Sequence, residues 1–268
     1  RVISFPDGNA ASNAKILPVA SQRLLVVWQE NGDAGAPVVH LGISDDGGDT
    51  WTSELSDHEV SVPVPWMTDF DAIFVGWYPQ GGASVVFAAS FDLASPLHYE
   101  IYETHTTNNG ATWTGQTALT QVSFDEDHSR SARNPHTFYA GCSGQIIVWD
   151  EVEENSGTNE IHLSSFASGA WTGATADRIV SFPDGEDGSR PSITGLDEVS
   201  LPQMAGHEGD TPDTWIAWTE FVGGDVDNTE VHLSSRNVCF GSSVGDPLAG
   251  EERFRLVLFP NPARDHIH

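Results

Sequence analysis

One segment pattern is written four times along this chain, and that repetition constrains the fold more than any other feature. Units that recur in this way cannot bury their apolar faces alone and must stack on one another. The plainest pair is Arg1-Val2-Ile3-Ser4-Phe5-Pro6-Asp7-Gly8 and Arg178-Ile179-Val180-Ser181-Phe182-Pro183-Asp184-Gly185, with Gln121-Val122-Ser123-Phe124-Asp125 as a third version. Each precedes a polar loop, a segment with proline, and an apolar run ending in an aromatic: residues 24–28, 84–87, 145–149 and 214–218. A short polar turn follows each run, then a second apolar run at 38–41, 99–102, 160–163 and 230–233, which reads as a hairpin. Four strands per unit are expected: a Pro-containing inner strand, the aromatic-ended strand, the His-Leu strand and an outer strand such as 178–182. The repeats then span about 1–54, 55–118, 119–177 and 178–240, and the fold class is all-β.

A third shared element follows each hairpin. Ser44, Asp46, Gly48, Thr50 and Trp51 form the pattern Ser-x-Asp-x-Gly-x-Thr-Trp, and Thr106, Asn108, Gly110, Thr112 and Trp113 form the same pattern with Thr and Asn substituted. Residues 164–171 keep only the first Ser and the Trp, and Ser234 begins a fourth copy. An Asp or Asn side chain accepts hydrogen bonds from turn amides, a glycine takes a backbone angle other residues resist, and a tryptophan plugs a core. This pattern resembles the Asp-box, or bacterial neuraminidase, repeat of sialidase-like β-propellers. The resemblance implies a propeller of four-stranded antiparallel blades, with the box residues structural and remote from any active site. It also implies about six blades in a full ring, so the visible repeats could be part of a larger ring. The alternative is closure with four, residues 1–5 completing the outer edge of the last blade.

The end of the chain differs. Residues 241–252 are polar and Gly-containing, as a linker is. In residues 253–268 the run Phe259-Pro260-Asn261-Pro262-Ala263 resembles the opening of the C-terminal sorting domain of the type IX secretion route, here truncated. That resemblance implies a secreted or cell-surface protein. Charge bears on partners: 11 Lys+Arg against 39 Asp+Glu give a formal net charge of −28, which repels nucleic acid and anionic membranes. No apolar run approaches the ~20 residues of a membrane span. Cys142 and Cys239 are open to pairing or to separate burial.

A sialidase-type enzyme, as the resemblance implies, needs arginines that grip a sugar carboxylate, a Tyr–Glu nucleophile pair and an acid. Arg130, Arg133 and Arg190 are the candidate anion contacts, and Tyr139 is the candidate nucleophile, with no Glu partner to name. The plainer reading makes Arg133 and Arg190 structural markers of inner-strand starts. His40, His162 and His232 recur at equivalent strand positions, with Tyr102 in the second repeat. Equivalent places on radial blades are too far apart to share one metal ion, so these read as half-buried strand histidines. No metal site or cofactor is assigned, although acidic turns at 150–154 and 225–227 could bind calcium through oxygen ligands. Trp66, Trp77 and Tyr78 are candidate sugar-stacking aromatics, core packing being the safer assignment for each. The reading is a monomeric glycan-binding or adhesion module, with carbohydrate or glycoprotein as partner and a glycoside hydrolase as the alternative.

Overall fold

The structure, a computed structural model, describes residues 2–4, 8–19, 22–32, 35–56, 58–75, 82–92, 98–123, 131–140, 144–152, 158–167, 170–171, 178–179, 187–195, 214–221, 229–236 and 252–254. These form antiparallel sheets, one for each sequence repeat. Blade 1 holds β1 (Ser12–Pro18), β2 (Leu24–Asn31) and β3 (Pro37–Ser44). Blade 2 holds β4 (Trp66–Val75), β5 (Gly82–Ser90), β6 (Glu100–Thr106) and β7 (Thr120–Gln121). Blade 3 holds β8 (Ala132–Ala140), β9 (Gly144–Val152), β10 (Asn159–Ala167), β11 (Ala170–Trp171) and β12 (Arg178–Ile179). Blade 4 holds β13 (Asp187–Gly195), β14 (Thr214–Phe221), β15 (Thr229–Arg236) and β16 (Glu252–Phe254). The aromatic-ended and His-Leu runs are the second and third strands of their blades, as their alternation implies.

The inner strands lie side by side, β1 on β4, β4 on β8 and β8 on β13. Cores form between blades. Val39, Leu41 and Val60 of blade 1 meet Val85, Phe87 and Trp113 of blade 2. Val86, Ile101 and Val122 of blade 2 meet Ile147, Trp149 and Trp171 of blade 3. Ile146, Val148 and Ile161 then meet Ile216 and Trp218 of blade 4. Each blade thus hides its apolar faces on its neighbours, which is the physical reason the unit repeats.

Outer strands come from the Val-Ser segments. Val122 N–H donates to the Ile101 carbonyl, and the Ser123 hydroxyl accepts from Ile101 N–H at 2.8 Å. Blade 1 has the same device, unnoticed in the sequence: Val60 N–H donates to the Val39 carbonyl and Ser61 accepts from Val39 N–H at 2.9 Å. In blade 3 Arg178 and Ile179 pair with Leu163 and His162.

Residues 2–4, the described part of the segment at 1–5, do not complete blade 4 as expected. That edge carries β16, with Phe254 opposite Leu233, so blade 4 draws its outer strand from beyond residue 240. Ile3 instead packs with Val26, Trp28 and Trp51 of blade 1, and its carbonyl accepts from the Ser53 hydroxyl at 2.5 Å. Among the described residues no packing comparable to the other inner-strand contacts joins β13 to β1.

The two turns after β3 and β6 are built alike. Ser44 Oγ accepts from Gly48 N–H and donates to Asp46 Oδ1, while Asp46 accepts from the Thr50 amide and hydroxyl. Thr106, Asn108, Gly110 and Thr112 repeat this, except that the Asn108 amide donates to the Thr112 hydroxyl. Gly48 at φ 102° and Gly110 at φ 89° take the left-handed backbone their turns need. The Trp51 and Trp113 indole N–H groups donate to the Gly48 and Gly110 carbonyls, and both rings are buried. Trp171 is buried likewise, but its indole N–H has no partner among the described residues.

Candidate functional site

The inner strands share a line of residues that the sequence alone did not align. Each is interrupted by a bulge near its start, within 12–15, 68–70, 133–136 and 189–192. Asn13, Asp69 and Asn134 occupy equivalent bulge positions at φ 56°, 44° and 48°, and Arg190 holds that place in blade 4. Asn and Asp tolerate this left-handed conformation better than other side-chain-bearing residues, which explains the choice. Bulges concentrate where a fold re-aims side chains toward a site. Two of these residues are clamped: Asn13 Nδ2 donates to Gln29 Oε1 at 3.1 Å, and Asn134 Nδ2 donates to Asp150 Oδ2 at 2.8 Å.

Blades 1 and 3 carry a further set beside the clamp. Trp28 stacks on His40 with centroids 5.7 Å apart, and Trp149 stacks on His162 at 5.8 Å. The Trp28 indole N–H donates to Glu30 at 2.5 Å, and that of Trp149 donates to Glu151 at 2.7 Å. Blade 2 departs at every one of these places. Phe87 replaces the tryptophan and Tyr102 the histidine; Ala88 stands where Gln29 and Asp150 stand, Ala89 where Glu30 and Glu151 stand, and Asp69 where the clamping asparagines stand. At this same end of blade 2, Trp66 is 46% exposed and Phe91 is 45% exposed. Phe91 meets Tyr102 edge-on at 5.2 Å. Burial, then the Glu100 charge, pushes the Tyr102 hydroxyl up to about 12, so it stays neutral.

Deeper along the inner strands, equivalent positions touch. Asp71 lies between Lys15 Nζ of blade 1 at 3.0 Å and His136 Nδ1 of blade 3 at 3.5 Å, and it accepts from Thr137 N–H at 3.0 Å. A buried chain of polar groups continues outward: Gln145 Nε2 donates to both Thr137 Oγ1 and Ser84 Oγ, and Ser84 donates to Glu103. It ends at His105, whose hydrogen bond to Glu103 holds the ring above its ordinary pKa against the opposing effect of burial. This knot joins three blades. Its single carboxylate near the inner strands, Asp71, is committed to protein partners.

Arg133 lies at the bulge end of β8 with its guanidinium 3.8 Å over the Tyr99 ring and Nε donating to Ser131. Tyr139 is at the other end of the same strand, about 20 Å away at the usual rise per residue, so the two do not share a site. Arg190 lies in β13 and is described only by its backbone; Arg130, Trp77, Tyr78, Cys142 and Cys239 lie outside the described residues. The expectation of half-buried histidines is corrected for His40 and His162, which are fully buried under tryptophans; His232 is described only by its backbone, which pairs opposite Trp218. Asp150 and Glu151 are buried in β9, not set in a solvated acidic turn; residues 153–154 and 225–227 lie outside the described residues. Among the described residues no group of three or more His, Cys, Asp or Glu side chains is placed to hold a metal ion. The turns at 44–51 and 106–113 follow β3 and β6, so they sit at the end of the blades opposite the bulges.

Radially packed antiparallel blades define a β-propeller. Solved structures share the fold. An α-L-arabinanase of Penicillium chrysogenum complexed with arabinobiose superposes with a TM-score of 0.58 at 13% identity, covering 96% of this chain and 70% of that one. A GH93 α-L-arabinofuranosidase of Fusarium graminearum with arabinobiose gives the same values. The Fusarium graminearum α-L-arabinofuranosidase with an iminosugar inhibitor has a TM-score of 0.56 at 14% identity, covering 95% and 69%. No protein-family model and no curated sequence matches the chain.

Proposed function

We propose that this chain is a carbohydrate-binding propeller that takes glycan at the bulge end of blade 2. The exposure of Trp66 beside that of Phe91 carries the reading. An aromatic face left about half in water forgoes part of the about 1.5–3 kcal/mol that full burial gives unless something covers it. The C–H face of a sugar ring is a fitting cover, with its hydroxyls reaching polar groups alongside. The arabinobiose held by two of the fold neighbours supports this class of ligand. Binding fits better than turnover, because hydrolysis uses a pair of carboxylates and Asp71 is already tied to Lys15 and Thr137. The turns at 44–51 and 106–113 support a sialidase-like, Asp-box kind of propeller, and the acidic surface with the sorting-like tail supports a secreted or cell-surface monomer.

The experiment is a glycan array with parallel turnover assays on aryl arabinofuranosides and a fluorogenic sialoside. Array binding that Trp66→Ala removes, without turnover, is the expected result. Turnover would replace this reading with the glycoside-hydrolase one.

A further inference from the structure

We infer that Asp69 is the ligand-binding carboxylate of this mouth and that its ligand is a neutral glycan; the inference rests on the reading of blade 2 as the glycan site. At two equivalent bulges an asparagine uses its amide N–H to clamp the neighbouring strand, onto Gln29 or Asp150. Asp69 keeps the left-handed backbone but cannot donate such a bond, and Ala88 stands where the acceptor stands elsewhere. Asp69 is half-buried, and no described group bonds to it. A half-buried carboxylate without donors does nothing for the fold that asparagine would not do as well. What it offers, and asparagine does not, is a charged acceptor for two hydroxyl groups, the pattern a sugar diol presents. It sits three residues along β4 from the exposed Trp66, so one sugar could stack and hydrogen-bond at once.

The charges around it select against acidic sugars. Lys15 is bound to Asp71, and Arg133 lies over Tyr99. The chain carries a formal net charge of −28, and Asp69 and Asp71 are acids two residues apart on one strand. Among the described groups an anionic sugar would meet unbalanced like charge here, while a neutral one offers hydroxyl donors and adds no charge.

The test is calorimetric titration of wild type, Trp66→Ala and Asp69→Asn with neutral arabino-, xylo- and galacto-oligosaccharides, and with sialyllactose and oligogalacturonate. Wild type should bind within the neutral set only. Asp69→Asn should weaken that binding about tenfold or more, as loss of a charge-assisted bond does, with its thermal midpoint unmoved or raised. If Trp66→Ala abolishes binding but Asp69→Asn stays within about twofold, below the cost of such a bond, the role of Asp69 is wrong while the mouth remains the site. Preference for the acidic sugars overturns the neutral assignment. Absence of wild-type binding to every probe overturns the site and this inference together.

Discussion

Blades 1 and 3 and blade 2 are copies of one unit, and they differ where the bulges are. In blades 1 and 3 that end is closed by side chains: an asparagine clamps a neighbour, a tryptophan stacks on a buried histidine, and a glutamate caps the indole. In blade 2 the same places hold Asp69, Ala88, Ala89, Phe87 and Tyr102, while Trp66 and Phe91 face water. The opposite end shows the reverse, since blades 1 and 2 keep nearly identical turns there. Blade 2 therefore keeps the contacts that stabilise its turn end, and the loss of stabilising contacts at its other end marks where something other than folding shaped the sequence.

The comparison can be broken at blade 3. Trp149→Ala should lower the unfolding free energy by about 3–5 kcal/mol in a denaturant titration, the usual cost of a buried aromatic. A loss as small as that of the exposed Trp66→Ala would dissolve the distinction between the blades. Lys15→Met should cost about 1–2 kcal/mol, because Asp71 loses a partner that is itself half in water. Asn134→Ala should cost about 1 kcal/mol, through a broken clamp and a left-handed residue with no polar side chain, whereas Asp69→Asn should stay within about 0.5 kcal/mol of wild type.

The smallest effect sharpens the likeness of the two turns. Hydrogen bonds from the Thr50 hydroxyl and amide, then from Ser44, hold the Asp46 carboxyl well below the usual carboxylate range. A depressed folded-state pKa stabilises above the unfolded value of about 4 and is lost as pH falls through the folded one. Amide exchange at Thr50 should therefore stay protected at about pH 4 and lose protection only at clearly lower pH, while Thr112, bonded to the non-titrating Asn108, should not lose it.

Much of the fold was legible because its signals are local. Apolar runs ending in Trp28, Phe87, Trp149 and Trp218 fixed the second strands, and the Ser-x-Asp-x-Gly-x-Thr-Trp pattern fixed the turns. The mouth was harder to read. A bulge breaks the two-residue alternation, and the aligned stretches Ser12-Asn13-Ala14-Lys15, Thr68-Asp69-Phe70-Asp71 and Arg133-Asn134-Pro135-His136 share little beyond a left-handed Asn or Asp. Arg133 has the residue type a sugar carboxylate needs, but its guanidinium rests on Tyr99. Trp66 was nameable as a sugar-stacking candidate, but only the structure shows its face open. The contact between Lys15, Asp71 and His136 was hidden for a different reason: equivalent positions are distant on outer strands and adjacent on inner ones.

The most direct test maps backbone amide shifts in isotope-labelled protein during titration with a neutral oligosaccharide that the array selects. The account predicts that the largest changes fall on Trp66, Asp69 and Phe91, with the turns at 44–51 and 106–113 silent. Shifts centred on the clamped ends of blades 1 and 3, or on those turns, would contradict it.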